Sequence, residues 1–200
     1  MKKTRLLIVL LTICFVFAFS SCAYGGNPTN IFTVDNNKLA DTTFKKLIDA
    51  IVSKESSNVT DLFSDELCES LPLDQDASEL VEFIRGEIIS FSTASECAVG
   101  AHYEKQNGRK LKIIDSSFTL DTTEDRYYIA IKECIVDEQN ADNVGILSIH
   151  IIESKNWDFD SVYHAGIFNE YGIIIHREKL NLEDIKPEDN TIIDKSNPAG

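Results

Sequence analysis

The stretch DRYYIAIKECIVDEQNADNVGILSIHIIE, residues Asp125–Glu153, contains two long runs rich in Ile, Val and Tyr that are separated by a short polar segment. The two runs are Arg126–Asp137 and Val144–Glu153, and their β-branched and aromatic residues favour strands. The segment between them, Glu138–Asn143, is rich in Asn, Asp and Gln, which is typical of a turn. The stretch therefore predicts two strands joined as a hairpin.

Similar strand-like runs lie on both sides of this hairpin. They are Glu87–Ser92, Cys97–Glu104 and Lys110–Leu120 before it and Gly172–His176 after it. Asn107-Gly108 and Asp121–Asp125 have the composition of hairpin turns. Successive hairpins predict an antiparallel sheet, which we expect the last run to close.

The segment before the strands has the spacing of helices. Apolar residues recur every three to four positions from Leu39 to Val52, after a candidate cap at Asp35–Asn37. Shorter helices are expected after Ser56, after Ser64, and between Asp74 and Gly86. Helices followed by strands predict an α+β fold in which the helices cover one face of a curved antiparallel sheet.

The first residues have the layout of an export signal. Lys2, Lys3 and Arg5 form a basic start, and Leu6–Phe19 is an uncharged apolar run of 14 residues. Such a run suits a secretory signal peptide, and it is shorter than the roughly 20 residues that a membrane-spanning helix needs. An uncleaved anchor is the alternative interpretation.

The end of the apolar run indicates a lipid anchor. Phe19-Ser20-Ser21-Cys22 resembles the lipobox of bacterial lipoproteins, although that pattern usually has an aliphatic residue where Phe19 stands. The resemblance implies lipidation of Cys22, export, and a place on the outer face of the cell membrane. Two acyl chains suffice for stable anchoring. Ordinary cleavage beside a coincidental cysteine is the alternative.

Composition excludes some partners of the exported chain. After removal of residues 1–21, 16 Lys and Arg face 33 Asp and Glu, which gives a net charge of about −17. A chain this acidic does not suit nucleic-acid phosphates or anionic lipid head groups. The lipid on Cys22 is therefore the expected membrane contact.

The exported chain keeps three widely spaced cysteines, Cys68, Cys97 and Cys134. No C-x-x-C pair is present, which argues against a zinc site or a thioredoxin-like motif. Cys97 and Cys134 can pair only if their strands are neighbours. Buried thiols that pack as small apolar side chains are the alternative that we favour.

Several segments together resemble a family of lipoproteins from Gram-positive bacteria, known as domain of unknown function 5104. The segments are NNKLADTTFKKLIDAI (Asn36–Ile51), LFSDEL (Leu62–Leu67), FIRGEIIS (Phe83–Ser90), the stretch Asp125–Glu153 and HAGIF (His164–Phe168). The resemblance implies an NTF2-like, or cystatin-like, cone, in which N-terminal helices pack on a strongly curved antiparallel sheet. It implies no activity and no catalytic residues.

With that fold, the chain divides into four parts. Residues 1–21 are the signal peptide, 22–34 the lipidated cysteine and a flexible spacer, 35–177 the NTF2-like domain, and 178–200 a charged, partly disordered tail. A homodimer is conceivable for such a sheet, but no residue here supports one.

Candidate catalytic residues are ionisable groups within apolar strands, because a desolvated carboxylate or imidazole can act as a general base. His150, Glu133 and Asp160 are the candidates. By alternation along its strand, His150 shares a face with Val144, Ile146, Ser148 and Ile152 that could line a cavity. A histidine that is satisfied in the core or faces solvent is the commoner outcome.

Candidate ligand-binding residues are Tyr128, His150, Trp157 and Tyr163, since rings of this kind stack on small ligands. Packing at the sheet edge explains Tyr127 and Tyr128 equally well, and a hairpin loop explains Trp157 with its acidic neighbours. Neither the histidine spacing nor Asp158-Phe159-Asp160 has the pattern of a metal site. We therefore expect no metal and no cofactor.

Three functions fit these observations. The first is a non-enzymatic surface domain that binds a small ligand or an envelope protein. The second is an NTF2-like enzyme of isomerase or hydrolase type, with a general base in the sheet cavity. The third is a structural or assembly partner. The sequence contains no reaction motif that would favour the second over the first.

Overall fold

The computed structural model describes residues 34–106, 109–157 and 170–180. Several expectations fall outside these residues: the signal peptide, Cys22 and most of the spacer, the turn at 107–108, Asp160 and Tyr163, and the tail beyond residue 180. The compact unit that contains the helices and strands begins at Asp35.

In the described residues, four helices precede the strands, at the places that the apolar spacing predicts. They are α1 (Asn36–Ser53), α2 (Ser56–Thr60), α3 (Asp65–Ser70) and α4 (Leu73–Phe83). Asp35 caps α1 by accepting a hydrogen bond from the backbone nitrogen of Asn37 at 3.0 Å, and Ser64 caps α3 through Leu67. Within the described ranges, no helix is long and apolar enough to cross a membrane.

Six strands follow within the ranges that the structure describes, and each overlaps one of the predicted runs. They are β1 (Ile88–Phe91), β2 (Val99–Gln106), β3 (Arg109–Thr122), β4 (Arg126–Asp137), β5 (Gly145–Glu153) and β6 (Gly172–His176). They form one sheet in the order β1-β3-β4-β5-β6, with β2 also paired to β3. Both β1 and β2 are antiparallel to β3, β1 near its end and β2 along its first half. The α+β prediction is confirmed.

Two expectations about the sheet are wrong. β6 runs parallel to β5, with Ser148 opposite Gly172 and Ile152 opposite His176, so the sheet is mixed rather than antiparallel. The 18 residues between these strands are enough for a crossover, which a parallel pair requires. The sheet is also not strongly curled. The β3–β4 ladder, the longest in the sheet, runs without a register shift from Ile113 to Asp121, so its central part lacks the bulges that bend a sheet strongly.

The core lies between the helices and one face of the sheet. Phe44 of α1 stacks on Phe118 of β3 with ring centroids 3.9 Å apart, and Leu47 and Leu80 are also fully buried. Burying a side chain of this size stabilises the fold by about 1.5–3 kcal/mol. We call this face of the sheet the helix face, and the opposite one the outer face.

A bulge decides which side chains of β5 reach the helix face. Lys132 pairs with Ser148 but Glu133 pairs with Ile146, so the register shifts by one residue. Ile146 therefore joins the helix-face core, while Ser148 and His150 stay on the outer face. Strict alternation wrongly placed Ile146 on the same face as His150, because the sequence gives no sign of the bulge.

The three cysteines of the described chain are thiols. Cys97 lies in a bend before β2, where its Sγ is 3.2 Å from the hydroxyl oxygen of Ser92. Cys134 is buried on β4. Because β3 separates β2 from β4, these two cysteines are not on neighbouring strands. Cys68 is exposed, and partial burial together with nearby Asp65 raises the pKa of its thiol.

Candidate functional site

Glu133 lies on the helix face of β4, against α1. The hydroxyl of Thr43 donates to its Oε2 at 2.7 Å. Burial raises the pKa of Glu133 to about 7, although the hydrogen bond from Thr43 and the charge of Lys46 act in the opposite direction. A carboxyl with such a pKa exchanges its proton near neutral pH, which is a property of general bases.

His150 lies on the outer face of β5 and is fully buried. Its Nδ1 is 3.2 Å from Nε2 of His176 on β6, and its Nε2 is 3.4 Å from the backbone carbonyl oxygen of Glu170. Burial lowers the pKa of His150 to about 3, with a smaller contribution from His176, and burial lowers that of His176 to about 4. Both rings are therefore neutral near pH 7.

The structure does not bring together Glu133 and His150, the two catalytic candidates within the described residues. Glu133 and His150 lie on opposite faces of the sheet, so they cannot act on one substrate atom. Tyr128 and Trp157 do lie together on the outer face, with ring centroids 6.5 Å apart. They pack against Ala130, Ile152 and Leu180 as a small apolar cluster.

A cleft that the sequence analysis missed lies at the end of the sheet where β5 and β6 finish. Because these strands are parallel, the residues that follow them emerge side by side, and the end of α4 lies beside them. The cleft has a volume of about 330 Å³. Its lining residues are Glu82, Phe83, Arg85, Glu153, Lys155 and Arg177.

Ion pairs organise one wall of this cleft, which we call the α4–β6 cleft. Arg85 donates from Nη2 to Glu153 at 2.5 Å and to Asp125 at 2.6 Å. The second oxygen of Glu153 accepts from Nζ of Lys155 at 2.7 Å. The side chain of Glu153 is only 9% exposed, whereas those of Arg85 and Lys155 are 49% and 59% exposed. The buried carboxylate thus holds two accessible cations close together.

An aromatic ring and a second guanidinium form the opposite wall. The guanidinium carbon of Arg177 lies 5.4 Å from the ring centroid of Phe83, and its Nη2 donates to Glu79 at 3.1 Å. Beneath them, the hydroxyl of Tyr127 accepts from the backbone nitrogen of Arg85 at 3.0 Å and donates to the carbonyl oxygen of Phe83 at 3.2 Å. The loop that carries Arg85 is therefore fixed to β4.

The cleft differs from the rest of the molecule in charge. Three of its lining residues are cations and two are carboxylates, whereas the whole chain has a net charge of −14. No group of three or more His, Cys, Asp or Glu residues that could hold a metal ion occurs in the part of the chain that the structure describes. The lining of the α4–β6 cleft combines charged groups of both signs with one aromatic ring.

One signal for this cleft was present in the sequence. Phe83, Arg85 and Glu153 all belong to segments that carry the resemblance described above. The wall that contains Arg177 depends on the parallel direction of β6, which brings Arg177 to the same end of the sheet as Lys155. An antiparallel β6 would place Arg177 at the other end of the sheet.

Comparison with known proteins gives one result on family membership. A search of curated proteins finds no match. The model of the family described as "Domain of unknown function (DUF5104)" matches residues 46–154, which is more than half of the chain. The match includes Phe83, Arg85 and Glu153, and it ends just before Lys155. The chain belongs to the DUF5104 family.

Proposed function

We propose that this protein is an exported, lipid-anchored surface protein whose folded domain binds a small ligand in the α4–β6 cleft without catalysing a reaction. The observation that carries the proposal is the cleft itself, because convergent cations and an aromatic ring surround an open volume of about 330 Å³. Ligand sites are typically concave, with a few placed polar groups and a volume of roughly 300–1,000 Å³. The cleft lies at the small end of that range.

The anchor is supported by the sequence alone. Leu6–Phe19 and the following Ser20-Ser21-Cys22 fit a lipoprotein signal, and the acidic domain itself suits an anionic membrane surface poorly. Growth of an expressing cell with a labelled fatty acid tests this part. We expect label on the wild-type protein and none on Cys22→Ala; an unlabelled wild type would mean plain secretion instead.

The binding role is tested on the purified full-length protein by native mass spectrometry for a co-purifying small molecule. Glu82→Trp places a bulky ring on the cleft lining and should remove that molecule. Glu69→Trp, on the exposed surface of α3, is the matched control. A molecule that stays bound in the cleft-filling variant would refute this location for the site.

An enzymatic alternative rests on Glu133. Its raised pKa suits a general base, and it lies between helices and sheet, where an NTF2-like cavity is expected. The NTF2-like relationship is itself a proposal, supported by the order of helices and strands and made without the strongly curved sheet. Unchanged turnover of an identified substrate by Glu133→Gln would exclude this role. A structural or assembly function, or a homodimer, would be detected by pull-down and by sedimentation.

A further inference from the structure

We infer that the α4–β6 cleft recognises a small zwitterion, namely a free α-amino acid or a short peptide that carries both its ammonium and its carboxylate group. The inference rests on the proposed binding role of this cleft. It follows from the number, placement and partners of the five charged side chains in the lining.

The cations select a carboxylate. Both hydrogen bonds of Arg85 to acidic side chains come from Nη2, and a guanidinium has five N–H donors. Arg177 likewise uses Nη2 for Glu79, and its side chain is 57% exposed. Two guanidinium groups and the ammonium of Lys155 therefore line one small volume with donors to spare. Paired N–H donors of this kind match the two oxygens of a carboxylate.

The acidic residues of the lining exclude a strongly charged anion. Glu153 lies at the base of the cleft with both oxygens engaged by Arg85 and Lys155. Glu82 is exposed on the last turn of α4. A phosphate dianion would meet two carboxylates in this space, and like charges disfavour it. A ligand whose positive group faces Glu82 and whose carboxylate faces the cations satisfies both signs.

The charged side chains of the lining determine how strongly a ligand inside the cleft is attracted, even though the whole protein is acidic. Charges on exposed surfaces are screened beyond about 8 Å at physiological ionic strength. A ligand within the cleft is therefore affected mainly by the three cations and two carboxylates of the lining and by Asp125 and Glu79, which pair with Arg85 and Arg177. Phe83 adds an apolar surface for a side chain, and the size of the cleft favours one or two residues over a longer peptide.

Calorimetry on the full-length protein in detergent tests the inference. The probes are each of the protein amino acids, dialanine, the N-acetyl and C-terminal amide forms of dialanine, and inorganic phosphate. We expect saturable binding of at least one free amino acid or of dialanine. Amidation of the carboxylate should weaken binding at least about tenfold, and acetylation of the amine should weaken it less.

Variants connect the binding to the cleft. Arg177→Gln and Arg85→Gln should each weaken binding about tenfold or more. Glu82→Gln should lower the affinity for the free-amine probe more than the affinity for its acetylated form. Arg126→Gln is the matched control, because Arg126 forms an equally short ion pair with Asp121 outside the cleft. Arg177 is the safer variant if Arg85→Gln misfolds, since its side chain is exposed.

Four results would overturn the inference. The first is no binding by any amino acid or by dialanine, and the second is phosphate binding tighter than every zwitterion. The third is equal binding of the amide and the free acid. A co-purifying molecule without a carboxylate that is lost in Arg177→Gln would also overturn it while leaving the proposed binding role intact.

Discussion

His176 lies 3.2 Å from His150, measured from Nε2 of the first ring to Nδ1 of the second, and the two rings stack at 18°. The carbonyl oxygen of Glu170 can only accept, so Nε2 of His150 carries the hydrogen. Since His150 is neutral, its Nδ1 has a lone pair, and Nε2 of His176 must donate to it. With His150 neutral, the contact therefore fixes the tautomers of both rings.

We expect the free energy of unfolding to fall as the pH drops from about 6.5 towards 4. Unfolded histidines bind protons with a pKa near 6.5, whereas burial lowers the pKa of His150 to about 3 and that of His176 to about 4 in the folded protein. The unfolded state therefore binds more protons in this range, and each histidine removes about 1.4 kcal/mol of stability per pH unit. Urea unfolding at several pH values measures this slope.

A histidine substitution separates this pair from the many carboxylates that also titrate. His176→Gln should make the slope less steep by about 1.4 kcal/mol per pH unit. His102, exposed on β2, supplies the control variant His102→Gln, which should keep the wild-type slope. Equal slopes for all three proteins would show that the buried pair does not determine the acid sensitivity.

Glu133→Gln is expected to stabilise the protein in alkaline solution. An unfolded glutamate releases its proton near pH 4.3, but the folded carboxyl keeps it until about pH 7. The folded state thus binds the extra proton, so this group lowers stability as the pH rises through that window. The variant should gain up to about 3 kcal/mol near pH 8 and little near pH 4. Thermal unfolding at both pH values checks the difference.

The control for this prediction is Glu69→Gln on the exposed surface of α3, which should have no comparable pH-dependent effect. A Glu133→Gln effect of the same size at both pH values would point to lost packing or hydrogen bonding with Thr43 instead of a raised pKa.

The positions of the strands were predictable from the sequence, because a run of apolar, β-branched residues favours a strand whichever neighbour that strand pairs with. The direction of β6 was not, since the residues of Gly172–His176 suit a parallel and an antiparallel strand equally. Two features of the molecule depend on that direction. Because β5 and β6 are parallel, His176 pairs with Ile152, two residues beyond His150, and its ring reaches His150. Arg177 reaches the α4–β6 cleft for the same reason.

The sequence indicated individual candidate site residues, but it did not indicate which of them lie close together. Glu133 and His150 are buried ionisable groups, as their apolar neighbours indicated. Their placement on opposite faces follows from the β4–β5 register, in which His150 pairs with Ala130, three residues from Glu133 on β4, and the sequence does not specify that register. The ion pairs of the cleft join residues from distant parts of the chain, such as Arg85 and Glu153, and only the folded topology reveals them.

Gly145→Ala should destabilise the domain by about 3 kcal/mol or more. Gly145 has a φ of +136°, and a Cβ there would lie 2.7 Å from the backbone nitrogen of Ser64. This contact lies where Ser64 donates to the carbonyl oxygen of Ile146 and Ile146 donates to that of Leu62. Backbone atoms cannot move aside as a flexible side chain can. The midpoint of urea unfolding measures the loss.

Gly172→Ala provides the comparison for this prediction. Gly172 also has a positive φ, +99°, but an added Cβ would meet only side chains, the nearest being Cδ1 of Leu71 at 3.2 Å. We expect this variant to lose less stability than Gly145→Ala. The reverse order would show that the junction between Ser64 and β5 adapts more easily than its geometry indicates.

Tyr127→Phe should lower the free energy of unfolding by about 1–2 kcal/mol and also weaken the binding of any ligand in the α4–β6 cleft. The phenyl ring remains and still packs against Phe83, whose centroid is 5.6 Å away, so no cavity forms. The change removes a fully buried hydroxyl and leaves the N–H of Arg85 and the carbonyl of Phe83 without this partner. Denaturant unfolding and calorimetry with the ligand measure the two effects.

Tyr128→Phe is the control, since it removes the same atom from a tyrosine on the outer face and should change neither quantity by much. Equal effects of both variants would show that the hydroxyl of Tyr127 does not position Arg85, because Tyr127, and not Tyr128, accepts a hydrogen bond from the backbone nitrogen of Arg85.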